Sequence, residues 1–262
     1  MSGLPQVIDT HAHLDAKELY DELPAVLQRA EQAGVSRIVT IGCDWRSSLL
    51  AVHIAERNSG RVYAAVGVHP HDAHTLDQTL LERLCELAAA PQVVAWGEVG
   101  LDYYRDLSPR EQQQRAFIAQ IDAAKQLHLP LIIHDRDAHQ PTVEILRRER
   151  GGMNGGILHC FSGSWEMARD CLNLGFMISF AGPLTFANAV QPKKVAAQTP
   201  DDMLLVETDC PYLSPEPHRG HTNEPARVVH TLAKLAEIRG VSYEKMAEIT
   251  TANARRLFGI ND

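Results

Sequence analysis

The sequence has no C-x-x-C pair, no excess of positive charge and no long uncharged apolar run. Its five cysteines are an odd number, which fits reduced thiols and disfavours a disulfide framework, a zinc ribbon or a dithiol redox centre. The first residues do not combine a basic start with an apolar stretch, and no run approaches the roughly eighteen apolar residues of a membrane helix. We therefore expect a cytoplasmic protein without a membrane span.

The formal net charge of −8 argues against a protein that coats nucleic acid with a broad basic face. It still allows an enzyme that handles phosphates locally, because bound metal ions add positive charge that a residue count omits. The hydrophobic fraction of 45% is ordinary for a globular chain, so a core can form without disulfides. The unusual feature is the presence of thirteen histidines, whose positions carry the functional argument.

Short apolar runs rich in Val and Ile alternate with amphipathic stretches along the whole chain. The runs begin at Val7, Arg37, Val62, Val93, Leu131, Ile157, Met177 and Leu204. Intervals of 20 to 38 residues between these starts are typical of repeated β-loop-α units. The pattern predicts an α/β fold, a (β/α)8 TIM barrel that forms one domain over residues 1–262. A doubly wound open sheet shows the same alternation, and spacing alone does not exclude it.

Helices are predicted between the runs, and the signal is strongest over residues 108–128. There Ser108 is expected to cap the helix, with Pro109 in the first turn and Glu111 completing a capping box. Further helices are predicted over residues 24–33, 47–58, 77–89, 141–150, 164–174 and 225–239. The tail, residues 242–259, predicts one or two short helices packed outside or below the barrel.

In such a barrel, catalytic groups stand at the carboxyl ends of the strands. His11 and His13 lie two apart at the end of the first run, so both imidazoles can face one metal. A histidine pair in a polar surface loop is the alternative for this motif alone. Glu98 follows the apolar stretch VVAWG, where an unpaired charge would be costly. A carboxylate there can bridge two cations, or it can pair with Arg105 or another base.

His134 and His159 each end an apolar run. Either one singly would more often be a core histidine, but two at the same depth favour metal ligation. Asp209 lies two residues beyond Glu207, so one carboxylate can bind metal while the other supports it or contacts substrate. Capping of a helix is the alternative for Asp209.

The combination predicts a binuclear centre with Asp209 and Glu98 as catalytic carboxylates. One cation can take His11, His13, Glu98 and Asp209, and the other Glu98, His134 and His159. We predict two divalent ions per chain, magnesium, manganese or zinc. Histidine-rich ligation suits zinc, manganese, iron or nickel by ligand softness.

Several motifs in order resemble the TatD family of metal-dependent hydrolases. They include DTHAHLD at 9–15, VGVHPH at 66–71, GEVGLDYYR at 97–105, IIHDRDA at 132–138, HCFSG at 159–163, ETDCPYL at 207–213 and NEP at 223–225. The resemblance implies a barrel, the same six metal ligands, and magnesium-dependent deoxyribonuclease activity of the 3′ to 5′ exonuclease type. It also implies that the mouth of the substrate site is lined by His69, His71, Asp102, Arg105, Asn223 and Glu224. We add Glu207 to this set. Arg105 could contact a phosphate or pair with Asp102 or Asp106 at the surface.

The leading hypothesis is hydrolysis of phosphodiester bonds at nucleic acid ends, with Asp209 accepting a proton from the attacking water. One alternative is a binuclear-metal hydrolase of a small amide, lactone or phosphoester, which the acidic net charge favours. Another is a barrel with structural metals that acts as a binding protein. The sequence predicts no membrane association and identifies no specific protein partner.

Overall fold

The computed structural model describes residues 5–260 and contains one sheet of eight parallel strands in sequential order. The strands are β1 (Val7–Ala12), β2 (Val35–Ile41), β3 (Val62–Val66), β4 (Val93–Asp102), β5 (Leu131–Arg136), β6 (Gly156–Leu158), β7 (Phe176–Phe180) and β8 (Leu204–Val206). Each predicted start lies within two residues of an observed one. The prediction of one domain over residues 1–262 includes residues 1–4 and 261–262, which lie outside the described range.

The first and last strands meet, so the sheet closes into a barrel. The backbone N–H of His13 donates to the carbonyl of Cys210 at 2.8 Å, and the N–H of Asp209 donates to the carbonyl of His11 at 2.9 Å. The hydroxyl of Thr10 donates to the carbonyl of Val206 at 3.0 Å. A doubly wound sheet would have its first strand in the middle and two open edges. The (β/α)8 prediction is therefore confirmed and the open-sheet alternative is wrong.

The helices cover the outside of the barrel. They are α1 (Lys17–Tyr20), α2 (Leu23–Gln32), α3 (Trp45–Arg57), α4 (Gln78–Leu87), α5 (Arg110–Gln126), α6 (His139–Arg148), α7 (Trp165–Asn173), α8 (Val190–Gln198), α9 (Val228–Arg239) and α10 (Tyr243–Phe258). The tail is one continuous helix, α10. The sequence analysis missed α1 and α8. The first has only four residues. The second contains a proline, which usually argues against a helix but is tolerated here because it lies in the first turn. No helix within residues 5–260 has the length and apolar character needed to span a membrane.

The predicted cap of α5 is wrong. The helix begins at Arg110, with Pro109 at the N-cap and no side-chain cap. The Ser108 hydroxyl is buried and instead donates to the carbonyl of His71 at 2.7 Å, while it accepts from the backbone N–H of His74 at 3.2 Å. Ser108 therefore ties the loop after β3 to the loop after β4.

Two layers of apolar side chains form the core. The barrel interior contains Ile8, Val39, Ile41, Ala65, Ala95, Ile132, Ile157, Met177 and Leu205. Ala254 and Phe258 of α10 join this interior cluster, so the tail helix packs below the barrel. A second layer between strands and helices includes the fully buried Trp96, Phe117 and Phe176. Layered packing of this kind leaves no pore through the barrel, and the chemistry is confined to its ends.

Two buried glutamines on α5 hold the carboxyl ends of β3 and β4. The Gln120 amide pairs with the backbone of Val68: its oxygen accepts from the N–H at 2.7 Å and its nitrogen donates to the carbonyl at 3.0 Å. Gln113 pairs with the backbone of Asp102 in the same way, at 2.9 and 3.1 Å. These side chains satisfy backbone groups that would otherwise be buried without partners.

Candidate metal centre

The six predicted ligands meet at the carboxyl end of the barrel. His11, Glu98 and His134 lie within β1, β4 and β5, while His13 and His159 directly follow β1 and β6. Asp209 lies three residues beyond the end of β8 at φ 56°. A positive φ is rare for a residue other than glycine and is often found at functional sites. This turn directs the carboxylate back toward the barrel axis.

Glu98 owes its orientation to an irregularity in β4. The strand runs on to Asp102, so Glu98 is inside the strand and not at its end as the sequence suggested. Ala95 belongs to the barrel interior, whereas Trp96 and Val99 belong to the outer layer. Strict alternation would direct residue 98 outward, but the pairing with β5 shifts register between Trp96 and Val99. The extra residue turns Glu98 inward, as β-bulges commonly do beside active sites.

Four atoms surround the position expected for the first cation. His11 Nε2 lies 3.3 Å from His13 Nε2, 3.4 Å from Glu98 Oε2 and 3.6 Å from Asp209 Oδ1. His13 Nε2 lies 3.8 Å from Glu98 Oε2 and 3.4 Å from Asp209 Oδ1. Ligands about 2.1 Å from a tetrahedral ion are about 3.4 Å from one another. The residues therefore fit a divalent cation.

The other oxygen of Glu98 belongs to a second donor set. Glu98 Oε1 lies 2.7 Å from His134 Nδ1 and 2.8 Å from His159 Nε2, and these two nitrogens are 3.4 Å apart. Such separations are close to the roughly 3.0 to 3.4 Å between adjacent ligands of an ion in octahedral or tetrahedral geometry. His69 Nε2 lies 3.5 Å from the same oxygen. Cys43 Sγ lies 3.9 Å from Glu98 Oε2. His69 and Cys43 are therefore two further potential donors beside Glu98.

The carboxylates in this cluster are held in their ionised form. Burial raises the pKa of Glu98, but the charges of His159 and His69 and hydrogen bonds from His11 and His134 outweigh it and bring the pKa well below its usual range. Burial likewise raises the pKa of Asp209, and the hydrogen bond from His13 together with the neighbouring histidine charges lowers it overall. Buried anions need compensating positive charge, which bound cations would supply.

His71 and Asp102, which were predicted at the substrate mouth, are linked to the cluster. His71 Nε2 lies 2.8 Å from Asp102 Oδ2, and His134 Nε2 lies 3.2 Å from the same oxygen. Burial lowers the pKa of His69 to about 4, although the charge of Glu98 opposes the shift. The structure thus brings His69, His71 and Asp102 together beside His134.

The other predicted mouth residues occupy different environments. Glu207 is fully buried and contacts His159. Asn223 is also buried, and its amide donates to the carbonyls of Thr208 and Tyr212 at 2.9 and 2.7 Å, so it braces the loop that carries Asp209. Glu224 forms an ion pair with Arg29 at 2.6 Å.

Arg105 is exposed and forms no ion pair among the described residues. Asp106 pairs instead with Arg110 at 3.0 Å. The surface pair of Arg105 with Asp106 that the sequence allowed is therefore absent from the described part of the chain, and its guanidinium is accessible to a ligand.

The sequence analysis missed an aromatic rim at the carboxyl end of the barrel, formed by Tyr104, Phe186 and Tyr212. Tyr212, 58% exposed, has its ring 5.9 Å from that of His13. Arg136 stacks on the exposed Tyr104 at 4.0 Å, and Arg219 stacks on Phe186 at 4.3 Å. All five residues lie at or beyond the carboxyl ends of strands. The aromatic pair in GLDYYR and the tyrosine three residues after Asp209 were the available signals.

A (β/α)8 barrel with this histidine and carboxylate cluster defines a metal-dependent hydrolase. Comparison with known families gives the particular family: the model described as TatD related DNase matches residues 8–259, and the chain belongs to that family.

Relatives of known sequence and structure agree. The Bacillus subtilis (strain 168) protein named uncharacterized metal-dependent hydrolase YabD is 46% identical, with 97% of this chain and 100% of that protein covered. The Shigella flexneri serotype 5b protein named 3′-5′ ssDNA/RNA exonuclease TatD is 35% identical over 97% of this chain and 99% of its own length. The crystal structure of YJJV, a TatD homologue from Escherichia coli K12, superposes with a TM-score of 0.93 at 32% identity, covering 99% of this chain and 100% of that chain.

Proposed function

We propose that the protein is a deoxyribonuclease that removes nucleotides from the 3′ ends of single-stranded nucleic acid with the help of two divalent cations. The observation that carries the proposal is the division of the Glu98 carboxylate, whose two oxygens face two different sets of donors. A relative at 35% identity is named a 3′-5′ ssDNA/RNA exonuclease, which supports this substrate class. A cytoplasmic location, where the five free cysteines stay reduced, is part of the proposal.

The chain's own residues suit hydrolysis at phosphorus. Bound divalent cations would lower the pKa of a water molecule and stabilise negative charge on the phosphoryl oxygens. Asp209, ionised and close to both His11 and His13, accepts the proton of the attacking water at its carboxylate. Glu98 contacts both donor sets, one through each of its carboxylate oxygens.

The aromatic rim provides a place for the substrate strand. Tyr104 and Tyr212 expose 59% and 58% of their surface, and an exposed aromatic ring stacks on any base. Arg136 and Arg219, each stacked on an aromatic neighbour, present guanidinium groups to phosphates. Local positive groups of this kind permit nucleic acid binding despite the net charge of −8.

The test is an assay of single-stranded DNA labelled at either end, with chelator-stripped protein and added magnesium, manganese or zinc. We expect stepwise shortening from the 3′ end that requires a cation. Glu98→Gln should reduce the rate by more than about 100-fold, whereas Glu144→Gln on the exposed face of α6 should retain it. Absence of shortening with every cation would overturn the nuclease proposal. Turnover of a lactone, amide or small phosphoester by the same preparation would then assign the site to the small-substrate alternative.

A further inference from the structure

Two histidines from different donor sets are stacked face to face in the centre of the site. The rings of His11 and His159 are 4.0 Å apart between centroids with an interplanar angle of 12°. The Nε2 atoms lie 3.4 and 2.8 Å from the two oxygens of Glu98. Both rings therefore present the same nitrogen to Glu98, and each Nδ1 atom needs another partner.

Glu207 supplies that partner for His159. The Glu207 side chain is fully buried, and its Oε1 atom lies 3.3 Å from His159 Nδ1 while it accepts the backbone N–H of Cys160 at 2.7 Å. A neutral histidine that binds a cation through Nε2 carries its proton on Nδ1. The acceptor of that proton fixes the tautomer and the ring orientation.

The second oxygen of Glu207 matches the second histidine. Glu207 Oε2 and His11 Nδ1 are both buried, and neither has a hydrogen-bond partner within the described part of the chain. One can only accept, and the other must donate when Nε2 binds a cation. The two rings are stacked and both direct Nε2 at Glu98, so His11 Nδ1 lies on the same side of the stack as His159 Nδ1, the atom that Glu207 Oε1 contacts.

The other nearby carboxylate is already engaged. Asp9 accepts the backbone N–H of Thr208 at 2.9 Å with Oδ1 and the hydroxyl of Thr208 at 2.6 Å with Oδ2. The backbone N–H of His11 also points to Oδ1, at 3.4 Å. Of these carboxylate oxygens, Glu207 Oε2 is the one that accepts no hydrogen bond from the described residues.

We infer that Glu207 is a positioning residue that accepts the Nδ1 proton of His159 directly and that of His11 through one buried water. It thereby keeps the Nε2 lone pair of one ligand in each donor set directed at its cation. The inference rests on the proposed two-cation site. Of the two roles that the sequence allowed for Glu207, support of a metal ligand and contact with substrate, the inference takes the first.

The variant Glu207→Gln tests the role because it preserves shape and changes hydrogen bonding. Its amide oxygen can still accept from Cys160 and His159, but its NH₂ group can only donate to the bridging water, where the carboxylate oxygen accepted from it. The proton on His11 Nδ1 then loses the carboxylate that stabilises it, which favours the tautomer with the proton on Nε2, and that tautomer cannot bind a cation through Nε2. We expect zinc affinity to fall about 10- to 100-fold, as for other outer partners of ligating histidines.

The matched control is Asp9→Asn, a second carboxylate-to-amide change at a fully buried position. Both oxygens of Asp9 accept from Thr208, and neither contacts a histidine ring nitrogen within the described residues, so the change leaves the ring nitrogens of the ligands with the same partners. Zinc affinity is measured by competition with a chelator. In this control it should change by less than about 3-fold, which is smaller than the loss expected when an outer partner of a ligating histidine is removed. Thermal unfolding of the metal-free variants shows whether each one folds.

A second readout uses the wild-type chain and does not depend on any variant folding. In zinc-loaded protein, nitrogen NMR of the histidine rings should show the proton on Nδ1 of both His11 and His159. A proton on Nε2 of His11, or unchanged zinc affinity in Glu207→Gln, would overturn the inference. If zinc binds and both histidines carry the proton on Nδ1 but the protein has no nuclease activity, the inference on Glu207 stands and the proposed function fails. Failure of the wild type to bind zinc, manganese or magnesium would overturn both.

Discussion

The carboxylate of Asp102 contacts His134 on the edge of the ring opposite Glu98. Asp102 Oδ2 lies 3.2 Å from His134 Nε2, whereas Glu98 Oε1 lies 2.7 Å from His134 Nδ1. The backbone N–H groups of Tyr104 and Arg105 donate to the other oxygen of Asp102 at 3.0 and 2.7 Å. Asp102 is fully buried, so it orients His134 from behind, although the sequence placed it at the substrate mouth.

Replacing Asp102 with Asn should weaken cation binding. The amide keeps the size of the side chain but lacks the charge that holds the Nε2 proton of His134, so we expect a loss of about 10- to 100-fold in manganese or zinc affinity. The change should appear in a metal titration monitored by calorimetry, with KM for single-stranded DNA at saturating metal altered less. A large rise in KM with unchanged metal affinity would show instead that Asp102 contacts substrate.

The two stacked arginines should control substrate affinity. Removal of Arg219 or Arg136 by alanine takes away one phosphate contact, so we expect KM for single-stranded DNA to rise while kcat changes less, and the slope of log affinity against log salt to fall by about one unit. Arg147→Ala is the matched control, because Arg147 lies in the last turn of α6 and pairs with Asp170. Equal KM values for all three variants would exclude these arginines from the substrate path.

Gln120 should be important for stability. Its side chain bonds both backbone groups of Val68 and the Trp96 indole N–H, which lies 3.2 Å from its oxygen. Gln120→Leu leaves these buried groups without partners, so we expect the free energy of unfolding to fall by about 2 to 4 kcal/mol. Denaturant unfolding of the metal-free protein measures it. The exposed Gln140→Leu on α6 is the control and should change stability by less than about 0.5 kcal/mol.

His230 should make stability fall on acidification. Burial lowers its pKa below 6.5, and the charges of His218 and Arg227 add to the effect. The unfolded chain therefore takes up this proton at a higher pH than the folded chain, and stability is lost as the pH falls below about 6.5. We expect the melting temperature of His230→Gln, taken relative to that of the wild type, to be higher at pH 5.5 than at pH 7.5. The exposed His53→Gln should show no such gain, and equal pH dependence of all three proteins would contradict the prediction.

Much of the fold followed from local patterns. Eight Val- and Ile-rich runs marked the strands, because a strand buried on both faces needs a nearly continuous apolar sequence. Side chains just beyond those runs had to converge, because parallel strands in a barrel end on one face. His134 and His159 were therefore paired correctly in space although 25 residues separate them in sequence.

Other features depended on long-range contacts that no local pattern encodes. The sequence around Ser108 is typical of a helix cap. In the folded protein the loops after β3 and β4 lie together, and the Ser108 hydroxyl donates to the carbonyl of His71 instead. Glu207 looked like a mouth residue beside Asp209, but its fully buried carboxylate contacts His159 Nδ1 and the backbone N–H of Cys160, which lie far from it in the sequence.

By itself, the sequence determined the number and order of the strands and the identity of the donor atoms, since strand pattern and ligand chemistry are properties of residues near one another in the chain. Only the tertiary structure decided which atoms face each other. The register shift in β4 turns Glu98 inward, and barrel closure brings Asp209 to His11. Both outcomes depend on pairing between strands, where a shift of one residue reverses the side to which a side chain points.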